Sequence, residues 1–191
     1  MQKRGKITVG VSGARGSFSD EAGHTYIRKA GLKNTEIKYL VSVENVLKKL
    51  EKGEISLGIF PIENSNGGVV LEAVHAMAKH TFKIKKIFEI DVHHNLLAKT
   101  SVPPNKIKTI VSHDQALRQC RTYLKRVWPK VKIVEYADTA KAAKDLTEGK
   151  LSSSTAVIAS LKAAELYKLT VLEESIQDLK FNYTSFIVTT R

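Results

Sequence analysis

The sequence predicts an α/β fold made of two lobes, and three features of the chain support this prediction. Short apolar runs alternate with amphipathic helical patterns, which is typical of parallel-type sheets with helices on both faces. The 191 residues are enough for one domain or for two lobes of about 90 residues each. Near residue 80 two consecutive strand patterns interrupt the alternation, and we expect them to lead into the second lobe.

The first three elements are predicted from local patterns within residues 1–41. An apolar run at 7–11 predicts the first strand. A helix is expected at 19–30, because Asp20 and Glu21 suit the positive N-terminal end of a helix. The run at 37–41 predicts the second strand, which gives a strand–helix–strand unit at the start of the chain.

The next elements of the first lobe have stronger signals. Ser42 is expected to cap a helix that Gly53 ends, because apolar residues recur between them at helical spacing. These residues fall at i, i+3, i+4 and i+7, namely Val43, Val46, Leu47 and Leu50. A buried strand at 55–60 and a helix at 69–79 follow.

The second lobe is predicted from a renewed alternation of strands and helices after residue 80. The two strands that interrupt the pattern lie at 82–90 and 92–98. The later strands are expected at 107–111, 131–136, 156–159, 170–172 and 186–189, and the helices at 114–127, 139–148 and 161–167. We expect the last strand to return to the first lobe. The domains are therefore expected to be 1–80 with 180–191, and 81–179.

Composition and charge exclude several classes of protein. Lys and Arg number 31 against 19 Asp and Glu, but the basic residues are scattered rather than clustered. This favours a solvated surface that attracts acidic small molecules over a nucleic-acid-binding protein. No run approaches the roughly 18 apolar residues that a membrane span needs. A single cysteine, Cys120, rules out an internal disulfide, so we expect a cytoplasmic protein.

Polar residues follow the third predicted strand in the segment Pro61-Ile62-Glu63-Asn64-Ser65, before two glycines at the head of the next helix. In α/β proteins this edge of the sheet is where small polar ligands bind. Segments 13–19 and 182–186 have a similar character. We therefore expect one binding cleft assembled from both ends of the chain.

Two helix starts are candidates for anion binding. Segment 13–19 combines two glycines with hydroxyl groups, and its backbone N–H groups would favour an anion. It lacks the third glycine of a dinucleotide site and the Lys-Ser/Thr of a phosphate loop, so a glycine turn with a Ser cap remains an equal interpretation. Asp138 or Thr139 is expected to cap a later helix, whose N–H groups could serve a ligand carboxylate.

The histidines are weaker indications of a functional site than these segments. His113 could be a general acid or an anion donor, although surface and capping histidines are common. His93 and His94 lie in a strand pattern and should point to opposite faces, so they cannot ligate one metal together. His94 is the better candidate for a cleft. Cys120 is expected to pack in the core, and we expect no metal.

Several motifs in the same order give the chain a resemblance to a known family. They are Gly-x-x-Gly-Ser-Phe-Ser at 13–19, Pro-Ile-Glu-Asn-Ser-x-x-Gly at 61–68, Ile-x-x-x-His-x-Leu-Leu at 90–97, Ser-His-x-Gln at 112–115, Gln-Cys at 119–120, Asp-Thr-Ala at 138–140 and Asn-x-Thr-x-Phe at 182–186. This order resembles the catalytic domain of prephenate dehydratase from about residue 7 to residue 191.

The resemblance implies a fold, a reaction and a set of site residues. The fold would be two-lobed, like that of type-II periplasmic binding proteins, with the active site in the cleft between the lobes. The reaction would be the decarboxylating dehydration of prephenate, a dicarboxylate, to phenylpyruvate in phenylalanine biosynthesis, without a cofactor. Thr184 would be the key catalytic hydroxyl. The other catalytic candidates are Glu63, Asn64, Ser112 and Gln119, and the substrate-binding candidates are Ser17, Ser65, His113, Thr139, Asn182 and Phe186.

The chain also departs from the family pattern. Ser185 stands where the family has arginine between Thr184 and Phe186, and a serine cannot replace a bidentate guanidinium. Ser12 and Asp114 replace family prolines, which we interpret as local backbone changes. Arg15 is a candidate to take over from the missing arginine.

These departures leave the substrate open. The alternatives to prephenate dehydration are arogenate or another cyclohexadienyl acid as substrate, or a ligand-binding homologue without catalysis. A proton donor is also needed, and Glu63 could serve if it were buried. We expect no regulatory ACT domain with this chain, and the resemblance allows for a homodimer.

Overall fold

The computed structural model describes residues 5–191 and divides the chain into two compact units. Unit 1 comprises residues 5–91 together with Tyr183–Arg191, and unit 2 comprises Val92–Asn182. Each unit contains one β-sheet, so the predicted two-part α/β architecture is confirmed. The unit boundaries lie later than residues 80 and 180, because the strand Lys83–Asp91 pairs with the last strand of the chain in the sheet of unit 1.

Strands and helices alternate along most of the described chain. The strands are β1 (Ile7–Val11), β2 (Thr35–Tyr39), β3 (Leu57–Asn64), β4 (Gly68–Val69), β5 (Lys83–Asp91), β6 (Asn95–Ala98), β7 (Thr109–Ser112), β8 (Lys132–Glu135), β9 (Thr155–Ala159), β10 (Thr170–Glu173) and β11 (Tyr183–Thr190). The helices are α1 (Phe18–Lys29), α2 (Val43–Glu51), α3 (Leu71–Met77), α4 (Asp114–Gln119), α5 (Arg121–Val127), α6 (Thr139–Thr147) and α7 (Leu161–Tyr167), and a 3₁₀ turn covers Pro104–Lys106.

The sheet of unit 1 has the strand order β2-β1-β3-β11-β5, with β4 paired to β3. β1 runs parallel to β2 and β3, whereas β11 runs antiparallel to both β3 and β5. The last strand therefore returns to the first unit, as predicted. The expectation of a parallel-type sheet is wrong for this half, because the two long strands β5 and β11 pair with opposite directions.

The sheet of unit 2 is also mixed. Its strand order is β10-β6-β9-β7-β8. β7 runs parallel to β8 and β9, and β6 runs antiparallel to β9 and β10. Parallel pairing is thus confined to the centre and one edge of the sheet, where β7 and β9 are linked through helical segments.

Helix α2 shows how local sequence produces its packing. The Ser42 hydroxyl accepts a hydrogen bond from the N–H of Asn45 at 3.2 Å, which confirms the predicted cap. The four apolar positions of the helical pattern are all buried in one cluster with Phe60. Burying each such side chain contributes about 1.5–3 kcal/mol, so this helix is held mainly by its apolar face.

The predicted helix at 114–127 is interrupted. It is divided into α4 and α5 at Cys120, whose φ of −111° and ψ of 14° are not helical. The Cys120 thiol is fully buried in the core of unit 2 beside Leu117 and Leu124, as expected. Burial raises the pKa of this thiol well above its usual range, so it remains protonated and unreactive at neutral pH.

His80 connects the segment after α3 to helix α2. Its Nδ1 lies 2.8 Å from Glu51 Oε2 and its Nε2 lies 2.9 Å from Glu44 Oε1. The hydrogen bond with Glu51 and then that with Glu44 raise the pKa of His80. Lys79 adds a further positive charge to this cluster, with its Nζ 3.9 Å from Glu44.

This cluster predicts a dependence of stability on pH. Because the folded-state pKa is raised, the contribution of His80 is fully present below about pH 6.5, the ordinary histidine value, and is lost as pH rises through the raised pKa. We expect the difference in thermal midpoint between the wild-type protein and His80→Gln to shrink from about pH 5 to about pH 9. His75→Gln, which changes an exposed histidine of α3, is the control for the loss of a histidine.

Candidate functional site

The central polar contact of unit 1 joins Thr184 and Asn64 across strands β11 and β3. Asn64 Nδ2 donates to Thr184 Oγ1 at 2.8 Å, and both side chains are buried, with Thr184 8% and Asn64 5% exposed. Asn64 Oδ1 accepts from the N–H groups of Asn66 at 3.0 Å and Gly67 at 2.7 Å. The amide of Asn64 is therefore fixed, and the Thr184 hydroxyl keeps its own proton for a different acceptor.

The segment 61–65 has a different backbone from the one expected. Residues up to Asn64 continue strand β3, and the chain then turns at residues 65–67 into the short strand β4. Helix α3 begins only at Leu71. Strand β3 extends this far because its C-terminal half pairs with β11. That strand lies more than a hundred residues later in the chain. The motif is thus the end of a β-hairpin and not a strand-to-helix loop.

Ser65 holds the beginning of strand β11. Its hydroxyl accepts a hydrogen bond from the Tyr183 N–H at 3.0 Å, and its own N–H donates to the Tyr183 carbonyl at 2.8 Å. Asn64 Nδ2 also donates to that carbonyl at 3.3 Å. The position of Thr184 is consequently set by the hydrogen bonds of the preceding residue and by the turn opposite.

Glu63 lies on the other face of the sheet. It stands opposite Ser185 on β11, whereas Asn64 stands opposite Thr184, and neighbouring residues of a strand point to opposite faces. Glu63 is also exposed, so the burial that a proton-donating role requires is absent. The structure therefore separates Glu63 from the Thr184–Asn64 pair, contrary to the expectation that they line one site.

Ser185 lies between two carboxylates of the neighbouring strands, Glu63 on β3 and Glu89 on β5. Its Oγ donates to Glu89 Oε1 at 3.3 Å, and Glu63 is its partner on the opposite strand. A guanidinium at this position would lie between these two acidic side chains. With serine, this position supplies no cation to the two carboxylates that flank it.

Phe186 lies in the interior of unit 1. Its side chain is 1% exposed, and its ring stacks on Phe88 with a centroid distance of 6.0 Å. Phe88 in turn contacts the Tyr26 ring of α1 at 5.9 Å. The expectation that Phe186 contacts substrate does not fit this position, because its ring is occupied by aromatic packing inside the unit.

The glycine segment 13–19 binds a carboxylate of the protein itself, that of Asp20. Ser17 caps α1 by accepting from the Asp20 N–H at 3.3 Å. The buried carboxylate of Asp20 accepts from the Gly16 N–H at 2.9 Å and from the Tyr39 hydroxyl at 3.0 Å. The Ser-capped turn is therefore what the structure shows, and the Ser17 hydroxyl is engaged in holding the helix start.

Gly13 is a position where a side chain has no room. A Cβ built there would overlap the Ser17 hydroxyl and would lie 2.8 Å from Ser19 Cβ. We expect Gly13→Ala to displace the capped start of α1 and to lower the thermal midpoint by several degrees, a loss of about 1–3 kcal/mol. Gly5→Ala, where a Cβ meets nothing within 4 Å, should leave the midpoint unchanged.

In unit 2, His94 and Asn182 meet at the side-chain oxygen of Gln119. His94 Nε2 lies 2.7 Å from Gln119 Oε1, and Asn182 Nδ2 donates to the same oxygen at 3.0 Å. An amide oxygen only accepts, so His94 carries a proton on Nε2. Burial lowers the pKa of His94, which keeps the ring neutral. Two donors thus fix the orientation of the Gln119 amide.

The helix break at Cys120 contributes to this arrangement. The Asp178 N–H donates to the Gln119 carbonyl at 2.7 Å, on one side of the break. On the other side, the Asp178 carboxylate accepts from the N–H groups of Thr122 at 2.8 Å and Tyr123 at 2.9 Å. Sequence reasoning missed Asp178, and no local pattern could have revealed it, because its partners lie more than fifty residues away.

The three remaining candidates of unit 2 have local roles in the backbone. Ser112 is fully buried and its Oγ donates to the Ile158 carbonyl at 2.7 Å. His113 is exposed and caps α4, with Nδ1 accepting from the Gln115 N–H at 3.3 Å. Thr139 opens helix α6 after the cap, which is Asp138. The structure thus joins Gln119 directly to Asn182, whereas Ser112 and His113 form their hydrogen bonds with backbone groups.

Residues 5–191 contain no group of three or more His, Cys, Asp or Glu side chains that could hold a metal ion. Within the same range no helix has both the length and the apolar character needed to cross a membrane.

Comparisons of the sequence with family models and with known proteins indicate the same family. The family model described as PDT, prephenate dehydratase, matches residues 9–191. The prephenate dehydratase of Methanocaldococcus jannaschii is 37% identical over 175 residues, which are 91% of this chain and 61% of that protein. Chloroplastic arogenate dehydratase 5 of Arabidopsis thaliana is 33% identical over 186 residues, which are 97% of this chain and 42% of that protein. The chain therefore spans less than two thirds of either relative.

Two solved structures have a fold similar to that of this chain. A prephenate dehydratase from Arthrobacter aurescens in complex with L-Phe is similar with a TM-score of 0.85 and 26% identity, over 97% of this chain and 60% of that one. A periplasmic substrate-binding protein of an ABC transporter from Coxiella burnetii is similar with a TM-score of 0.50 and 15% identity, over 97% and 84% of the two chains. The second likeness concerns the fold alone, and it confirms the expected periplasmic-binding-protein type.

Proposed function

The chain belongs to the prephenate dehydratase family, and we propose that it converts prephenate to phenylpyruvate, water and carbon dioxide. The observation that carries the proposal is the buried hydrogen bond from Asn64 to the hydroxyl of Thr184. It fixes one small donor in a buried position near the start of β11, where it can be oriented toward a departing hydroxyl group.

The chemistry consists of two bond cleavages and needs one proton. The C–O bond to the ring hydroxyl breaks, and the departing oxygen takes up a proton from the solvent and leaves as water. The C–C bond to the ring carboxylate breaks to release carbon dioxide, and its electron pair completes the aromatic ring. Aromaticity supplies the driving force, so the proposal requires no metal or organic cofactor.

We assign Thr184 the role of hydrogen-bond donor to the departing oxygen. Its oxygen already accepts from Asn64, so its O–H group can be directed at the substrate. A threonine hydroxyl is too weak an acid to give up its proton entirely, and its contribution is therefore stabilisation of the charge that develops on the leaving oxygen. Asn64 is the positioning residue for this group.

Substrate binding is proposed to use neutral donors and the basic surface. Prephenate carries two carboxylates, and amide N–H groups and helix starts bind carboxylates without the strong desolvation cost of a buried cation. Gln119 is the best candidate in unit 2, because the hydrogen bonds from His94 and Asn182 to its oxygen fix the orientation of its amide. His113 and Thr139, at the starts of α4 and α6, are secondary candidates.

The test is an assay of the purified protein with prephenate at neutral pH. Phenylpyruvate is followed by its enolate absorbance in alkali, and the spontaneous acid-promoted reaction is subtracted. Turnover that depends on Thr184 supports the proposal. Absence of turnover with both prephenate and arogenate, in protein that is folded, would contradict it.

Arogenate is the second candidate substrate, and one of the relatives favours it. Arogenate carries an ammonium group where prephenate has a keto group. A relative named as an arogenate dehydratase is 33% identical. Parallel assays with the two substrates decide between them, since a higher kcat/KM for arogenate than for prephenate would identify arogenate as the substrate.

A further inference from the structure

A groove on unit 2 involves none of the site residues assigned above. Its volume is about 510 Å³, and it lies between helices α4 and α5 and the chain that leads into strand β8. Apolar residues of α4, α5, β8 and the segment that joins α5 to β8, among them Leu117, Leu124, Trp128 and Ile133, line it together with the basic residues Arg121 and Lys125. A space of this size falls within the range of about 300–1,000 Å³ that small-molecule sites occupy.

The floor and one wall of the groove are apolar. Leu117 and Leu124 belong to the core of unit 2, and Trp128 and Val131 pack against that core while only partly buried. Ile133 lies on β8, the edge strand of the sheet, and is 41% exposed. Apolar surface arranged in a concavity is favourably covered by an apolar ligand group.

The other wall carries positive charge. Arg118 of α4 and Arg121 and Lys125 of α5 line this wall, and Arg121 and Lys125 are four residues apart on one helix. Arg118 is paired with Asp114 at 2.8 Å. Within residues 5–191, no ion pair is formed by Arg121 or Lys125, and the lining includes no acidic residue. The charge in the groove is therefore unbalanced and favours an anion.

We propose that this groove binds a small amphipathic anion, namely a carboxylate attached to an aromatic or branched apolar group. The carboxylate would lie beside Arg121 and Lys125, which are one helical turn apart, and the apolar group would cover Trp128 and Ile133. The size of the groove favours a small molecule over a protein segment. The proposal is independent of the function proposed for Thr184 and Asn64.

Trp128 makes the proposal directly measurable, because it is the single tryptophan of the chain. Titration with 4-phenylbutyrate is expected to change the tryptophan fluorescence in a saturable manner. The neutral analogue 4-phenylbutanol should bind at least about tenfold more weakly, the factor that corresponds to 1.4 kcal/mol. Equal binding of the alcohol would overturn the assignment of the cationic wall.

Charge-reversal variants locate the site. The double variant Arg121→Glu with Lys125→Glu changes two exposed side chains, and we expect it to weaken binding by about tenfold or more. Arg126→Glu is the matched control, since Arg126 is exposed on the same helix but does not line the groove. Equal losses in both variants would show a general charge effect and contradict the proposal, as would an absence of saturable change in the wild-type protein. Binding of an acidic amphipathic peptide without binding of 4-phenylbutyrate would also overturn it.

Discussion

Thr184→Ala is expected to lower kcat for prephenate by about 10²- to 10³-fold, the usual effect of removing one fixed donor from a developing charge. The variant deletes the hydroxyl to which Asn64 donates at 2.8 Å, so both the donor and its fixed orientation are lost. KM should change less than kcat, because the contact is proposed to strengthen as the leaving oxygen gains charge. Steady-state kinetics with prephenate measure both constants.

Two companion variants separate catalysis from folding. Thr184→Ser retains the hydroxyl, and we expect it to recover a large part of the activity. Thr189→Ala is the matched control on the same strand, since Thr189 is also buried and donates a hydrogen bond to the Gly58 carbonyl at 3.1 Å. If Thr189→Ala lowers kcat as much as Thr184→Ala, the effect is structural and the role assigned to Thr184 is wrong.

Local signals in the sequence were sufficient wherever an element is determined by its own residues. The cap at Ser42 and the apolar face of α2 are present as predicted, because capping and helical periodicity act within one or two turns. Strand β1 and helix α7 likewise coincide with their predicted bounds. Val41 shows the limit of this reasoning, since its φ of 66° ends the second strand early and no residue type signalled it.

Elements that depend on distant partners could not be predicted in this way. The break of the helix at Cys120 rests on Asp178, and the extension of β3 through Asn64 rests on pairing with β11. Both partners come from later parts of the chain. The mixed direction of the two sheets has the same origin, because strand direction follows from the path of the whole chain.

The candidate site could likewise be predicted only in part from the sequence. The resemblance to a family indicated Thr184, Asn64 and Gln119, but only the folded chain shows that Asn64 donates to Thr184 and that Gln119 accepts from two side chains. The sequence predicts Glu63 and Asn64 side by side at one site because the segment 61–65 has the pattern of a loop. In the strand that the segment forms, the alternation of side chains separates them.

Gln119→Leu is expected to have the second large effect, on both stability and activity. It removes the oxygen that accepts from His94 and Asn182, whose side chains are 4% and 0% exposed. Each buried donor left without that acceptor costs about 1–3 kcal/mol, so the thermal midpoint should fall markedly. Gln115→Leu, an equivalent change one helical turn earlier in α4, is the control and should be tolerated.

Gln119→Glu distinguishes the structural role of the oxygen from the proposed binding role of the NH₂ group. The carboxylate keeps an acceptor for His94 and Asn182, so this variant should be clearly more stable than Gln119→Leu. It replaces the NH₂ donor with a negative charge, however, and prephenate carries two carboxylates. We therefore expect KM for prephenate to rise by about tenfold or more, measured at a pH where His94 remains neutral. A wild-type KM in this variant would mean that Gln119 supports the fold of unit 2 and does not bind the substrate.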